Sequence, residues 1–487
     1  MFIVTNKFLI IIGAEDFMFI QKNDKSIKAF LLGICTLLMF TSCNKVVPSE
    51  NSSDKAKSDN ISSKETNTDD VVINFAVLGK ADYITSAAKK FNEADNGYRI
   101  ELIDYFNESD DSASRALKLQ DFQIMQDIIN TDDIDMVTSL SFSEEANYRS
   151  LIEKGAFTDL YEFMQNDTEV NTTTLNNHIL SVNEMNGCLF TIPTYYVAYT
   201  MLGDSAYVGN KINWSFDELF SHWEKMPDNA TIMGERTKEA AYRAFVAPNL
   251  SSFVDFESGN VNFDSDDFRK ALEFCNKFEY GNQEKTDIDF NAPMFCNEAS
   301  ISSFMGIYPY KLGSNNPNAT FVGFPSSNGE GAYLRSFSDC FSISAKSSEE
   351  KQQGAWEFIR LFFMTEWQEE HALSITNRTS GYATQQCFCI NNTANENIKR
   401  NTVDKKYSPA TFESKGETFT TEFPSLEDCN ALESYLNSID RWEVRLDDSI
   451  VGVIDEEVMT YFSDEISIDE CINRIQNRTS IWISEKS

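Results

Sequence analysis

Residues 71–77, VVINFAV, open the stretch whose alternating periods decide the fold class of this chain. A short apolar run rich in β-branched residues is typical of a strand that is buried on both faces. Apolar residues then recur at helical spacing from Ile84 to Phe91, and strand character returns at 98–103, YRIELI. A strand, an amphipathic helix and a second strand in this order predict an α/β fold with a parallel sheet covered by helices.

The same alternation continues further along the chain. It predicts a helix over 116–129 and a third strand over 134–137. In such sheets, ligands bind beyond the carboxyl ends of the strands. We therefore expect the loops after Val77, Ile103 and Val137 to face a binding site.

Several later helix starts are marked by a local signal. In a capping box, a serine hydroxyl and a glutamate three residues later each accept a hydrogen bond from the other residue's backbone N–H. Three such pairs occur in the sequence: Ser215 with Glu218, Ser347 with Glu350, and Ser467 with Glu470.

The segment before these elements has the features of an export signal. Residues 25–40 combine a positively charged start with an apolar core, and Cys43 follows two small residues. The core is far shorter than the roughly 20 residues that span a membrane. Residues 1–43 resemble a bacterial lipoprotein signal, in which the cysteine becomes the lipidated first residue of the mature protein. An ordinary cleaved signal with an incidental cysteine is the alternative, and Met18 is an alternative start.

Residues 44–70 are rich in Ser, Asn, Asp and Lys and contain little that a core could bury, so we expect a disordered tether. A flexible chain of this length spans roughly 30 Å on average. The globular body then covers residues 71–487. A body of this length is too large for one ordinary core and predicts two lobes of roughly 200 residues each.

The charge of the chain excludes some partners. It contains 41 Lys and Arg against 76 Asp and Glu, a formal net charge of −35. Nucleic-acid binding requires clustered basic residues that displace counterions, so no nucleic acid is expected as a partner. The same charge argues against the body lying on an anionic membrane. It does not identify a ligand, because a local site can differ from the average.

The cysteines and histidines do not form a recognisable metal or disulfide pattern. Beyond Cys35 and Cys43, eight cysteines remain, and their spacing shows no disulfide framework. Cys387 and Cys389 would lie on one face of a strand, but they lack a second ligand pair and a nearby histidine. We therefore expect no metal and no cofactor, and several cysteines should be small buried side chains.

Six segments occur in the order that is known from one protein family. They are AAKKFNEADNGYRIEL (87–102), KGAFTDLYEFM (154–164), NGCLFTIPTYY (186–196), VGFPSSNGEG (322–331), SISAKSSEEKQQGAWEFIRLFF (342–363) and IDEEVMTYFSDEISIDECINRIQNRTSIWISE (454–485). Together they resemble the extracellular solute-binding proteins of the sugar-binding class that serve ABC importers. The resemblance covers nearly the whole body.

This resemblance implies a two-lobed periplasmic-binding-protein-like fold of type II, with a ligand cleft between two α/β lobes. Mapped onto this sequence, the first lobe is 71–195 plus 336–375, and the second is 196–335 plus 376–487. Hinges are then expected near 195–198, 331–337 and 377–383. The implied mechanism is hinge closure, in which a ligand that contacts both lobes stabilises the closed form and a permease recognises that form.

The resemblance also directs attention to side chains that could hold a sugar. Aromatic rings can cover the apolar face of a pyranose, while polar side chains bind its rim of hydroxyls. The candidates at the expected crossovers and strand ends are Tyr195, Tyr196, Tyr308, Tyr310, Ser139, Phe142, Arg335 and Asp339. For the tyrosines the alternative is ordinary packing. For Arg335 and Asp339 it is a structural ion pair.

The expected function is capture of an extracellular solute, a mono- or oligosaccharide, by a monomer that is attached to the outer face of the membrane through Cys43. The expected partners are that solute and the subunits of an ABC permease, and the chain is not expected to be an enzyme. One rival is a surface glycoside hydrolase, which would require two carboxylates about 5 to 9 Å apart. Another is a surface glycan-binding protein without a transporter, which should not close on its ligand.

Overall fold

A computed structural model describes residues 2–5, 8–11, 70–77, 82–94, 96–105, 124, 126–138, 145–209, 213–232, 234–279, 296–308, 318–327, 329, 331–337, 339–377, 382–409, 411–414 and 417–486. Nearly all of the predicted signal and tether, including Cys43, lies outside these residues. So do the candidate ligand residues Ser139, Phe142 and Tyr310.

The chain divides into two units. One unit consists of Met1–Asp69 and Thr411–Thr420, and the other consists of Asp70–Ala410 and Thr421–Ser487. The described part of the first unit consists of two antiparallel hairpins: Phe2–Thr5 with Phe8–Ile11, and Thr411–Ser414 with Glu417–Thr420. The second unit contains the two larger sheets.

The first sheet is built from the amino-terminal strands that the sequence predicts. Its spatial order is Tyr98–Asp104, Val71–Val77, Met136–Thr138, Cys340–Ile343 and Ile192–Pro193. The first three strands are parallel, as predicted, and Cys340–Ile343 runs antiparallel to both of its neighbours. The strand that the sequence predicts over 134–137 is observed as Met136–Thr138.

Both faces of this sheet are buried, as the apolar run 71–77 predicts. Phe75 is fully buried, and its ring centroid lies 6.0 Å from that of Phe341 and 5.9 Å from that of Phe358. Its neighbour Ala76 belongs to a second cluster on the other face, together with Val137. Successive strand residues point to opposite faces, so the neighbours Phe75 and Ala76 are both apolar because each packs on a different core. Burial of a side chain like Phe75 stabilises the fold by about 1.5 to 3 kcal/mol.

The helices in this part of the unit are Asp82–Asn92, Glu145–Glu153, Tyr161–Met164, Asn177–Val182, Glu349–Ile359 and Thr365–His371, with a 3₁₀ turn at Arg360–Phe363. The capping box predicted at Ser347 is wrong. Ser348 is the N-cap and accepts a hydrogen bond from the backbone N–H of Lys351. Ser347 instead donates its hydroxyl hydrogen to Asp135 Oδ1 at 2.6 Å, because the buried carboxylate of Asp135 lies within its reach.

The second sheet is organised around Tyr195–Asp204, which we call the crossover strand. It pairs antiparallel with Cys296–Ile301, Ala319–Phe321, Tyr333–Ser336 and Phe388–Cys389. Several helices and one short hairpin accompany this sheet. They are the helices Ser205–Val208, Phe216–Trp223, Lys238–Phe245, Asp266–Cys275, Asp448–Phe462 and Ile468–Lys486, the 3₁₀ segment Ala247–Phe253, and the hairpin of Val254–Asp255 with Asn260–Val261. Residues from many of these elements form a separate core that includes Met201, Phe245 and Phe268.

The predicted capping box at Ser215 and Glu218 is confirmed, since both of its hydrogen bonds are present. At the other predicted box, Ser467 accepts the backbone N–H of Glu470 at 3.2 Å. Helices Asn392–Val403 and Leu426–Leu436 contribute to the large core that also contains Phe75 of the first sheet.

The chain passes from one sheet to the other at places close to those expected from the sequence. It leaves the first sheet at Pro193 and enters the crossover strand at Tyr195, and it returns between Ser336 and Cys340. The third expected hinge, 377–383, overlaps the hairpin Leu373–Asn377 with Tyr382–Gln385, after which Phe388–Cys389 joins the second sheet. The exact lobe boundaries remain a prediction.

Free thiols are present at Cys188, Cys275, Cys340, Cys387, Cys389, Cys429 and Cys471, and all except Cys188 are buried. Burial raises the pKa of the Cys275, Cys387 and Cys389 thiols above their usual range. These cysteines therefore act as small apolar side chains, as the sequence predicts.

Candidate functional site

The first two residues of the crossover strand, Tyr195 and Tyr196, are strongly buried. Tyr195 is 5% exposed, and its hydroxyl lies 3.4 Å from the backbone carbonyl oxygens of Trp367 and Gln368. Tyr196 is 2% exposed, and its ring centroid lies 5.4 Å from that of Phe388. Burial is the main reason that the pKa of each hydroxyl is raised. Both rings have packing partners, and their ligand role stays a prediction.

Two partly exposed tyrosines lie further along the same sheet and face each other. Tyr199 of the crossover strand is the cross-strand neighbour of Tyr333. Their rings are stacked, with centroids 5.4 Å apart and planes inclined by only 3°. The guanidinium carbon of Arg335 lies 4.8 Å from the Tyr199 ring centroid, within range of a cation–π interaction. Arg335 Nη1 also lies 3.5 Å from Glu443 Oε1.

The segment that carries Glu443 is held beside the strand Tyr333–Ser336 by backbone hydrogen bonds. The N–H of Leu334 donates to the carbonyl of Arg441 at 2.8 Å, and the N–H of Glu443 donates to the carbonyl of Leu334 at 2.7 Å. This pairing places the Arg441 guanidinium carbon 5.8 Å from the Tyr333 ring centroid. The tyrosine pair is therefore flanked by two arginines and a glutamate.

Arg441 connects this cluster to a cavity of about 280 Å³. Ser251, Asp255, Phe256 and Val444 also line the cavity, and Arg149 contributes from the helix Glu145–Glu153. That helix follows Met136–Thr138 of the first sheet, whereas the other lining residues lie in segments associated with the second sheet. The cavity thus receives side chains from both parts of the unit.

Both acidic and basic side chains line the cavity. Asp255 accepts hydrogen bonds from the Ser258 hydroxyl at 2.5 Å and from the backbone N–H groups of Glu257 and Ser258. These bonds, with a smaller contribution from Arg149, lower the pKa of Asp255. Burial lowers the pKa of Arg441, although the Tyr333 hydroxyl and Glu443 oppose that effect. Arginine nevertheless remains protonated in proteins.

Two further candidates from the sequence lie elsewhere. The Tyr308 hydroxyl donates to Asp428 Oδ2 at 3.2 Å, and burial together with that carboxylate raises the pKa of Tyr308 to about 12. Asp339 lies where the chain returns to the first sheet, is 5% exposed, and accepts the backbone N–H and the hydroxyl of Thr194 through its carbonyl. Burial raises the pKa of the Asp339 carboxyl to about 6. It does not pair with Arg335, whose carboxylate partner is Glu443.

Of the predicted residues that the structure describes, only Arg335 joins the cluster beside the cavity. Sequence reasoning missed Tyr199, Tyr333, Arg149 and Arg441. Tyr199 and Tyr333 lie in the same expected crossovers as Tyr195 and Arg335, so a search of those strands for every tyrosine would have found them. Arg441 had no such signal, because it joins the cluster only through long-range strand pairing.

In the ranges that the structure describes, no group of three or more His, Cys, Asp and Glu side chains could hold a metal ion. No described helix combines the length and apolar character that crossing a membrane requires.

The model of a protein family described as bacterial extracellular solute-binding protein matches residues 86–384. A search of curated proteins found no significant sequence match. Among solved structures, an extracellular solute-binding protein family 1 member from Alicyclobacillus acidocaldarius is similar, with 12% identity, a TM-score of 0.51, and coverage of 85% of this chain and 98% of that chain. A periplasmic oligogalacturonide-binding protein from Yersinia enterocolitica also has 12% identity and a TM-score of 0.51, with coverage of 85% of this chain and 100% of that chain.

At this level of identity the structural likeness concerns the fold alone, and it confirms the predicted two-lobed α/β fold of type II. The family match covers more than half of the sequence. The chain belongs to the bacterial extracellular solute-binding protein family.

Proposed function

We propose that this protein is the solute-binding subunit of an ABC importer and captures a mono- or oligosaccharide by hinge closure. The main support is the cavity of about 280 Å³, which receives Arg149 from one part of the unit and Arg441 and the ring of Phe256 from the other. Aromatic rings with a few charged side chains suit a sugar, which offers an apolar face and a rim of hydroxyls.

The position of the cavity supports hinge closure. Arg149 comes from a helix that follows a strand of the first sheet, and Arg441 from a segment paired with the second sheet. A ligand that contacts both side chains would stabilise the form in which they are close, because it binds that form better than the open one. The chain connections near Tyr195 and between Ser336 and Cys340 would accommodate the motion.

The location and partners that we propose follow from the family and from the amino-terminal sequence. The family is extracellular. We propose that Cys43 carries the lipid, that residues 44–70 act as a tether, and that the closed monomer docks on the permease. The neighbour from Yersinia enterocolitica binds oligogalacturonide, which supports a carbohydrate as the class of solute.

Thermal unfolding of the full chain with a panel of mono- and oligosaccharides tests this proposal. A true ligand at one hundred times its dissociation constant should add about 2.7 kcal/mol to the free energy of unfolding. Phe256 lines the cavity and is partly exposed, and Phe256→Ala should weaken binding by about 10-fold or more, since burial of such a ring contributes about 1.5 to 3 kcal/mol.

Tyr161→Ala provides a matched control. Tyr161 is also partly buried and donates its hydroxyl to Glu184, but it lies outside the cavity lining. The ligand-induced increase in the unfolding temperature of this variant should equal that of the wild type. Absence of any shift across the panel would reject the carbohydrate assignment, while turnover of a bound oligosaccharide would favour the hydrolase. A ligand that binds without contraction in solution scattering would favour a glycan-binding protein that does not close.

A further inference from the structure

Arg441 is held in an unusual environment for a guanidinium. Its Nη1 donates to Asn249 Oδ1 at 2.6 Å, and its Nη2 donates to Ser251 Oγ at 3.1 Å. Both acceptors are uncharged. Asn249 is fully buried, and its own Nδ2 donates to the carbonyl of Pro325 at 2.9 Å, which fixes the acceptor in place. The guanidinium therefore has a defined orientation at the cavity.

No carboxylate neutralises this charge directly. Among the residues that the structure describes, Arg441 makes no ion pair. Glu443 acts on Arg441 electrostatically, but its carboxylate lies 3.5 Å from Arg335. Asp255 lines the same cavity, but it is exposed, and its carboxylate accepts three hydrogen bonds from Ser258 and the Glu257 backbone.

Arg441 is partly buried, and a guanidinium that loses contact with water without gaining an anion carries a desolvation cost. The uncharged acceptors Asn249 and Ser251 and the face of Tyr333 offset only part of that cost, and N–H groups of Arg441 remain available to donate. A planar ligand anion would accept two parallel hydrogen bonds from such a group. Arg441 is thus oriented and charged for an anion that the protein itself does not supply.

We infer that the ligand of this cavity is an acidic carbohydrate, whose carboxylate or sulfate ester is bound by Arg441. This inference rests on the proposed carbohydrate-binding function and narrows it. Phe256, which lines the same cavity, would cover the face of the same sugar unit. A cavity of about 280 Å³ has room for one such unit.

The test measures dissociation constants by calorimetry on the full chain with matched sugar pairs. Glucuronic acid is compared with glucose, and galacturonic acid with galactose, both as monomers and as short oligomers. Galactose 6-sulfate distinguishes a sulfate ester from a carboxylate. We expect the acidic member of at least one pair to bind about 10-fold tighter or more, because hydrogen bonds to charged groups contribute strongly.

Variants then assign the preference to one side chain. Arg441→Gln should abolish the preference for the acidic member, whereas Arg441→Lys, which keeps the charge but loses the planar fork, should retain part of it. Arg269→Gln is the matched control, because Arg269 pairs with Asp469 at 2.7 Å and does not line the cavity. It should bind like the wild type. Circular dichroism of each variant verifies that it is folded.

The outcomes separate this inference from the proposed function. If neutral sugars bind as tightly as the acidic ones, or if Arg441→Gln keeps the acid preference, the inference is wrong and the carbohydrate function stands. If Arg441→Gln does not fold, Arg441→Lys provides the test. A preference for the acidic sugar that equals that of the wild type would then overturn the inference. If no member of any pair binds, the inference is wrong, and the wider panel of mono- and oligosaccharides decides the carbohydrate function.

Discussion

Gly331→Ala is expected to destabilise the protein by at least about 3 kcal/mol. A Cβ atom at this position would lie 1.6 Å from the carbonyl oxygen of Phe324 and 2.5 Å from its carbonyl carbon. Both are backbone atoms, so no side chain can rotate away to relieve the contact. Phe324 is itself fully buried, and Gly331 leads into the strand Tyr333–Ser336, so neither segment can move without disrupting the second sheet.

Gly452→Ala is the matched control. Gly452 lies in the helix Asp448–Phe462, and its Cβ would meet no atom within 4 Å. Alanine is favoured over glycine in helices, so this variant should be more stable by about 0.5 to 1 kcal/mol. Chemical denaturation of both variants provides the measurement. Equal unfolding midpoints for Gly331→Ala and the wild type would show that the close approach to Phe324 is absent in solution.

The buried carboxylates of Asp167 and Asp339 have opposite surroundings, so we expect their removal to change stability in opposite directions. Asp167 forms a bidentate ion pair with Arg360, from Nε at 2.6 Å and from Nη2 at 3.0 Å, and Trp356 Nε1 donates to it at 3.1 Å. Asp339 is 5% exposed, and burial raises the pKa of its carboxyl group. A hydrogen bond from its own backbone N–H lowers that pKa, but by less than burial raises it. At pH 7 we expect Asp167→Asn to destabilise the protein and Asp339→Asn to stabilise it, each by about 2 kcal/mol.

The pH dependence of unfolding follows from the same contacts. Burial alone would raise the pKa of Asp167, but the hydrogen bonds from Arg360 and two backbone N–H groups lower it from 3.8 to about 2. Its contribution to stability is therefore complete above about pH 4 and is lost as the pH falls towards 2. Burial raises the pKa of Asp339 from 3.8 to about 6, so its contribution is favourable below about pH 4 and is lost as the pH rises to 6.

Urea denaturation of both variants and the wild type between pH 3 and pH 8 provides the measurement. Asp339→Asn should remove the decline in stability between about pH 4 and pH 6, whereas Asp167→Asn should leave that decline in place. A destabilised Asp339→Asn variant at pH 7 would contradict the prediction, because it would mean that the ionised carboxylate has a stabilising partner. Such a partner would then have to be sought where the chain returns to the first sheet.

Local sequence patterns determined much of the fold. Strand Val71–Val77, helix Asp82–Asn92 and strand Tyr98–Asp104 were predictable because each periodicity reflects the face that the element itself must bury. The capping box at Ser215 was equally local, since both of its hydrogen bonds join residues three apart. The box expected at Ser347 failed because the helix begins one residue later, with Ser348 as its N-cap, while Ser347 donates to the distant Asp135.

The site depended more strongly on contacts between distant residues. The sequence directed attention to the crossover strand, but it could not show that Tyr195 and Tyr196 are covered while Tyr199 stays partly exposed and stacks on Tyr333. That difference arises from which elements cover each end of the strand. Arg441 reaches the cavity through backbone pairing of its segment with Leu334.

The amino-acid sequence by itself thus determined the α/β class, the order of the elements and the family, because these follow from short-range periodicity and from the order of recognisable segments along the chain. Only the tertiary structure decided which aromatic and charged side chains meet at the cavity. Their meeting requires strand pairing and packing between residues that are far apart in sequence, and no local pattern records those contacts.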